Sequence, residues 1–398
     1  MLCGVLFKYL MSWGTLRIID ARGKRHEFSG TPGPEVTIRL HDKALHYKLF
    51  WNPRLAVGEG YMDGTLTMEN GGRIIDLIDL VGANLNMMEA NQVIKFRNWL
   101  TPLVRPLQQH NPISRSRKNV AHHYNLSDGL FDLFLDSDRQ YSCAYFDTPN
   151  DSLEQAQLAK KHHLAAKLVL DRPGLKMLDI GSGWGGLGIY IHQKTGADVT
   201  GLTLSTEQQA YAAERAKELG LSDQVRFNLR DYRLEEGTYD RIVSVGMFEH
   251  VGVSYYVEFF NKLKALLTED GIAVVHTIAR WDGPSVTNPW LRKYIFPGGY
   301  TPSMSEIFAA LEGRVAEGAA GRSPDGGPVA MVDADLASGG EDLGPVVGRL
   351  QGPERDEVDC ADSAVGPGPI LYQTQLDQHV DLRPRQAGYR VPRFGPVR

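Results

Sequence analysis

Cysteine is scarce in this chain. Cys3, Cys143 and Cys360 are the only three among 398 residues. They stand too far apart for a metal knuckle or a redox pair, so neither is expected and a reducing cytoplasm is the natural setting. No apolar run is long enough to cross a bilayer. The apolar start MLCGVLFKYLMSWG is broken by Lys8 and lacks a small-residue cleavage site, which argues against a signal peptide. The net charge of −5 is mild and provides no field to hold a nucleic acid. What these absences leave is a soluble protein with room for two domains.

Two local shortages mark boundaries. The stretch IKFRNWLTPLVRPLQQHNPISRSRKNVAHH lacks any acidic residue while carrying Lys95, Arg97, Arg105, Arg115, Arg117 and Lys118 beside Phe96, Trp99, Leu100, Leu103 and Val104. It reads either as a solvated linker or as an interfacial element, since a cation near anionic lipid gains about 1 kcal/mol. Pro102, Pro106 and Pro112 exclude one long helix. Beyond Glu312 lysine and tryptophan vanish, and Gly plus Pro rise to roughly a quarter, the range of low-complexity chain. An acidic disordered tail is one reading. The favoured one is an out-of-frame end, because Arg, Gly, Pro and Ala dominate as in a GC-rich gene read in the wrong register.

Between these marks the chain is regular. TLRIID, EVTIRL and ALHYKLF are predicted as short strands punctuated by Gly and Pro, and RIIDLIDLVGANLNMM has helical spacing. Residues 1–90 therefore form a small N-terminal α+β domain, 91–120 the basic linker, and 313–398 the atypical, poorly ordered tail. Over 121–312 strands and helices alternate: LKMLDI, ADVTGLTL, QVRFNLRD, YDRIVSVG and GIAVVHTI are separated by helical segments. This pattern predicts an α/β fold with a doubly wound, mostly parallel sheet.

The first strand of that sheet runs into MLDIGSGWGG, where Gly181, Gly183, Gly185 and Gly186 let the backbone approach a ligand beside a helix N-terminus. A dinucleotide site wants a carboxylate about 20 residues on, at the ribose. Here the second strand ends GLTLSTEQQ, with no acid before Glu207. Asp179 and the D-x-G-x-G-x-G pattern fit S-adenosylmethionine (SAM) better, and Asp231-Tyr232 closes the third strand where an adenine would lie. VGMFEHVG follows the fourth strand, and the fifth delivers His276 to the same edge. Glu249 and His250 read as an ordinary polar loop or as site residues, and His276 as a core or a site histidine. Cys143, inside DRQYSCAYFD, reads as a small core side chain or as part of the site.

NVAHHYNLSDGLFDLFLDSDRQYSCAYFD, SLEQAQLAKKHHLAAKL, LDIGSGWGG, GLTLSTEQ, FEHVG and KYIFPGGYTPS resemble the cyclopropane-fatty-acyl-phospholipid synthase family, relatives of the mycolic acid cyclopropane synthases. The resemblance covers about residues 119–312, and residues 13–90 resemble the extra N-terminal domain of longer bacterial members. It implies a Rossmann-like class I SAM-dependent methyltransferase that adds a methylene to cis double bonds of unsaturated acyl chains in membrane phospholipids. It also implies a homodimer, docked peripherally on the inner membrane face. SAM contacts carried across are Tyr141, Ser142, Gly181, Gly183, Thr203, Leu204, Gln208 and Tyr232. The implied base is a bound bicarbonate, held by Cys143, Glu249 and His276 with backbone groups of Gly246 and Ile278, while Tyr141, Tyr145 and Phe146 suit a nearby carbocation. The family also uses a tyrosine on a helix well beyond the histidine. That region falls in the tail, where Tyr372 and Tyr389 lack helical surroundings, so reduced activity and stability are expected. The alternatives are a related methyltransferase giving a branched lipid or acting on a small amine, and a SAM- or lipid-binding protein without turnover.

Overall fold

The computed structural model describes residues 11–84, 128–148, 150–281, 283–312 and 329–337. The basic linker, the segment ILYQTQL, and Tyr372 and Tyr389 lie outside the described residues. The chain divides into two compact units.

The first unit opens with β1 (Trp13–Ile19), β2 (Arg25–Ser29) and β3 (Thr31–Leu40). Helices α1 (Lys43–Trp51) and α2 (Pro53–Met62), strand β4 (Leu66–Met68) and helix α3 (Ile74–Ala83) follow. The strands form one sheet in the order β2-β1-β3-β4, with β1 and β3 parallel. The core is Leu16, Ile18, Val36, Ile38 and Leu40 from the sheet, closed by Leu45, Leu49, Leu77 and Leu80 from the helices.

One expectation is corrected here. ALHYKLF is helical, not a strand. Its apolar anchors Leu45 and Leu49 are four residues apart, so they share one helical face, and a strand would have needed anchors two apart. The Asp42 side chain caps the helix by accepting from the Ala44 N–H, and Pro53 opens the next helix after Asn52.

Residues 285–297 cluster with this first unit rather than with their sequence neighbours. The Trp290 indole approaches Met62 Sδ at 3.3 Å, and Lys293 and Tyr294 both donate to Glu59. Gly58 is required beneath them, because a Cβ there would sit 2.4 Å from the Trp290 ring.

The second unit comprises α4 (Asp128–Phe131), α5 (Leu153–Lys167), β5 (Lys176–Ile180), α6 (Gly186–Thr195), β6 (Asp198–Thr203), α7 (Thr206–Glu218) and β7 (Val225–Leu229). It continues with β8 (Tyr239–Val245), α8 (Tyr256–Leu266) and β9 (Leu267–Arg280). Past 285–297, which include α9 (Pro289–Tyr294), come α10 (Met304–Leu311) and β10 (Val329–Ala337). The sheet order is β10-β9-β8-β5-β6-β7, and the pairings β9-β8, β8-β5, β5-β6 and β6-β7 are all parallel. The order reverses at β5, so the crevice beyond the carboxyl ends of β5 and β8 is where an open α/β sheet takes its ligand.

Two apolar layers cover this sheet. One joins Met177, Val199 and Phe227 to Leu164, Leu187 and Ala212. The other joins Ile180, Ile242 and Val275 to a stack of Phe248, Tyr256, Phe259 and Phe260. Phe248 lies 4.3 Å from Tyr256, ring to ring, and is fully buried. Burying a ring of that size contributes roughly 1.5–3 kcal/mol, and it pins the short turn that carries Glu249 and His250.

Candidate active site

Loops leaving β5, β6, β7 and β8 meet the segment 139–142 around one cavity of about 140 Å³. A single water needs only ~10–15 Å³ by the same measure, so this is a ligand cleft and not a packing fault. Tyr141, Ser142, Gly181, Gly183, Thr203, Leu204, Gln208 and Tyr232 all line it. Asp179, Trp184, Asp231, Met247 and His250 complete the wall.

The glycine turn is shaped by steric need. Gly181 has φ +87°, and a Cβ there would stand 2.8 Å from Met247. Any larger residue would push the β5 and β8 loops apart and clash with its own backbone. Gly186, at the start of α6, faces the Asp138 carboxylate so closely that a Cβ would lie 2.2 Å from Oδ2. Asp138 is held there by Lys161 Nζ, 2.6 Å away, and by Arg215. A protein carboxylate thus occupies the positive end of α6, where a dinucleotide fold would place its pyrophosphate.

Thr203, Ser205 and Gln208 form one polar hook after β6. The Thr203 hydroxyl donates to Gln208 Oε1 at 2.9 Å, and Ser205 Oγ caps α7 by accepting from the Gln208 N–H. On the far wall the Asp231 carboxylate accepts from both the side chain and the backbone N–H of Arg233, fixing the turn that presents Tyr232. Burial pushes the Tyr141 hydroxyl up to about 12 and raises that of Tyr232 as well, so both remain neutral donors near neutral pH.

Asp179 is the odd group. It is buried, its Oδ2 has no hydrogen-bond partner among the described residues, and it borders the cavity. Burial pushes its carboxyl up to about 7, offset in part by Lys160. A buried orphan acceptor at a glycine-lined cleft fits a ligand carrying an N–H group, as SAM does in its amino-acid end. The cleft's polar hook, open glycine turn and neutral tyrosines fit the rest of that molecule.

Of the second predicted set, Gly246, Glu249, His276 and Ile278 meet at the β8–β9 edge. The pairing of Val245 with His276 sets that histidine beside the β8 loop. Gly246 lines the cavity, and its N–H donates to the His276 carbonyl at 3.0 Å. Glu249 Oε1 accepts from the Ile278 N–H at 2.6 Å, while Oε2 is buried without a hydrogen-bond partner among the described residues. Burial raises the Glu249 carboxyl above its ordinary range, opposed by the Ile278 N–H and by His276. The backbone N–H groups of Gly246 and Ile278 are thus already engaged in holding the strand edge and the carboxylate. Cys143 is half-buried and follows Ser142, whose Cβ lies 3.6 Å from a Cβ built on Gly246. Of the second set only Gly246 borders the cavity itself.

Sequence reading passed over several residues. Trp184 closes an aromatic cluster with Phe131, 4.9 Å between centroids, and Phe131 in turn meets Tyr141. Gln157, Lys160 and Lys161 on α5 hold the 138–142 segment from behind. Their signal was present: three polar residues sit between Ala156 and Leu164 on the face that α5 buries.

Fold and cleft together define a class I SAM-dependent methyltransferase. The model of the family "Mycolic acid cyclopropane synthetase" matches residues 111–314. The chain belongs to that family. It is 36% identical over 277 residues to the cyclopropane-fatty-acyl-phospholipid synthase of Escherichia coli (strain K12), covering 69% of each chain. It is 33% identical over 294 residues to a probable fatty acid methyltransferase of Pseudomonas putida, covering 72% of this chain and 71% of the relative. Among solved structures, the cyclopropane synthase MmaA2 from Mycobacterium tuberculosis aligns with a TM-score of 0.46 and 34% identity, over 50% of this chain and 73% of that one.

Proposed function

We propose that this enzyme transfers a methylene from SAM to cis double bonds of unsaturated acyl chains in membrane phospholipids, giving cyclopropane fatty acids. The observation that carries the reading is the pairing of two sites across one loop. Gly246 borders the donor cleft, and its neighbours Glu249 and His276 form an acid–imidazole edge behind it.

SAM, when bound, supplies an electrophilic methyl group. An alkene is a weak nucleophile with no proton to surrender first, so the chain's contribution is alignment and dryness. Tyr141, which lines the cleft, is the aromatic ring placed to meet positive charge developing on the acyl chain; Tyr145 is stacked on His163 and neither it nor Phe146 lines the cleft. Ring closure then requires removal of one proton from the added methyl, and that is the task assigned to the Glu249–His276 edge. Bicarbonate fits this edge in chemical character: Cys143, Glu249 and His276 would hold it, with Glu249 Oε2 the orphaned acceptor that a protonated carbonate oxygen would satisfy. The engaged N–H of Ile278 orients Glu249 for that role.

Peripheral action on the cytoplasmic membrane face is part of the proposal. Among the described residues no helix is long and apolar enough to cross a membrane. The outer face of α1 presents Lys43, Tyr47, Lys48 and Trp51, with Tyr47 60% and Trp51 75% exposed. Aromatic rings beside lysines suit the boundary of an anionic bilayer.

The test is transfer of label from methyl-labelled SAM to vesicles of cis-unsaturated phospholipid, against vesicles of saturated phospholipid. Label in the acyl chains of the first alone, as a product that survives hydrogenation and fragments as a ring, is expected. Equal labelling of both vesicles, or label in the headgroup, overturns the reading.

A further inference from the structure

Helix α5 spends binding energy in an unusual place. Its buried face carries Gln157, Lys160 and Lys161, at 3%, 3% and 8% exposure. A buried ammonium costs several kcal/mol unless charge and hydrogen bonds compensate it. Lys161 meets that need with Asp138, 2.6 Å away. Lys160 does not: among the described residues no carboxylate lies within ion-pair distance. Its Nζ donates instead to two neutral acceptors, Ser142 Oγ at 2.6 Å and Gln140 Oε1 at 3.0 Å. Gln157, one helical turn earlier, reinforces the same segment by donating to the carbonyls of Ser142 at 2.9 Å and Gln140 at 3.3 Å.

Both acceptor residues of Lys160 line the donor cleft. So does Asp179, whose carboxyl the lysine's charge pulls down against the effect of burial. An alkyl side chain would fill the same space without the desolvation cost. The cost is therefore tied to what the ammonium does to the cleft.

We propose that Lys160 is a positioning residue of the donor site, its ammonium fixing the Gln140–Ser142 wall, so that donor affinity depends on the charge of this lysine. The proposal rests on the reading of the cleft as the SAM site.

Burial pushes Lys160 down to about 8, with Asp136, Cys143 and Asp138 drawing it back up and Lys161 acting with burial. Asp179 faces it as well. The sign follows directly. The lysine is charged below about pH 8 and neutral above it, so donor affinity is full at neutral pH and falls as pH rises through that region. Asp179, near 7, gives a separate limb on the acid side, where its ionisation strengthens binding as pH rises.

The experiment is calorimetric titration of S-adenosylhomocysteine into the full chain, as wild type, Lys160→Met and Lys160→Arg, from about pH 7 to about pH 9.5, a range that spans the lysine's shifted titration and ends below its ordinary one. Losing a charged hydrogen-bond donor to the wall weakens binding about ten- to a hundredfold in Lys160→Met, with no further lysine-dependent loss on the alkaline side. Beyond the loss that titration of the ligand's own amino group imposes on all three proteins alike, wild type loses affinity there, whereas Lys160→Arg, charged throughout, does not and recovers part of the affinity. Wild-type affinity in Lys160→Met, or matching alkaline profiles for wild type and Lys160→Arg, overturns the proposal. The profile comparison decides the matter even where Lys160→Met does not fold. A wild type that binds no S-adenosylhomocysteine at any pH overturns the donor-site reading itself.

Discussion

Asp179 and Glu249 are two carboxylates that the fold buries at a cost, and burial raises the carboxyl of each above its ordinary range. The carboxyl of Asp179 is raised from 3.8 to about 7. An unfolded chain releases that proton first, so the ligand-free protein loses stability as pH rises through this window. Asp179→Asn is expected to raise the melting temperature of the ligand-free protein at pH 8 by the equivalent of about 1–3 kcal/mol, and to weaken S-adenosylhomocysteine binding at the same time. Thermal melting with and without ligand checks both halves. For Glu249 the raised carboxyl places the acid limb of turnover above the ordinary glutamate range of ~4.3, and Glu249→Gln is expected to abolish that limb. Most residues that line the cleft were legible because short polar and glycine motifs follow strands, and strand ends converge. Lys160 was not, because a lysine in a helix ordinarily reads as solvated surface, and only coordinates show it facing inward.

At the level of elements, the turn Phe248–His250 depends on one ring. Phe248→Ala removes a fully buried side chain stacked on Tyr256 and is expected to cost about 3–5 kcal/mol, measured by denaturant unfolding, with loss of turnover in any folded fraction. The β-α alternation of the second unit was readable from period alone, since fully buried parallel strands are short apolar runs set between long helical ones. Helix α1 was misread because ALHYKLF is a short apolar run whose Tyr47 and Phe50 favour strands, while Ala44, Leu45, Lys48 and Leu49 favour helix and the deciding features are the Asp42 cap and the four-residue spacing of Leu45 and Leu49. Its outer face carries its own prediction. Replacing Tyr47 and Trp51 together by Ser is expected to weaken binding to anionic vesicles by about tenfold or more, in a sedimentation assay, with the melting temperature unchanged because both rings already face water.

Across the whole molecule, order in space departs from order in sequence at two places that matter. The sheet reverses direction at β5, and this brings the glycine turn after β5 against the Gly246 loop after β8, although the two are separated by more than one full β-α-β unit. Residues 285–297 leave their sequence neighbours to cover α2, through Trp290 on Met62 and two donors on Glu59. Local pattern carries no trace of a contact between positions so distant in the chain, which is why the segment was read as part of the continuous span 121–312. The chemistry assigned to the molecule needs the first of these juxtapositions: a methyl donor in the cleft, and a proton-removing edge one loop behind it.

The most direct measurement is product analysis of unsaturated phospholipid vesicles incubated with methyl-labelled SAM and either the wild type or Glu249→Gln, alongside S-adenosylhomocysteine affinity for both. Cyclopropane-ring product from the wild type is predicted, with ring formation reduced about a hundredfold or more in Glu249→Gln and donor affinity unchanged. Undiminished ring formation by Glu249→Gln, or labelled acyl chains without rings from the wild type, would contradict the account.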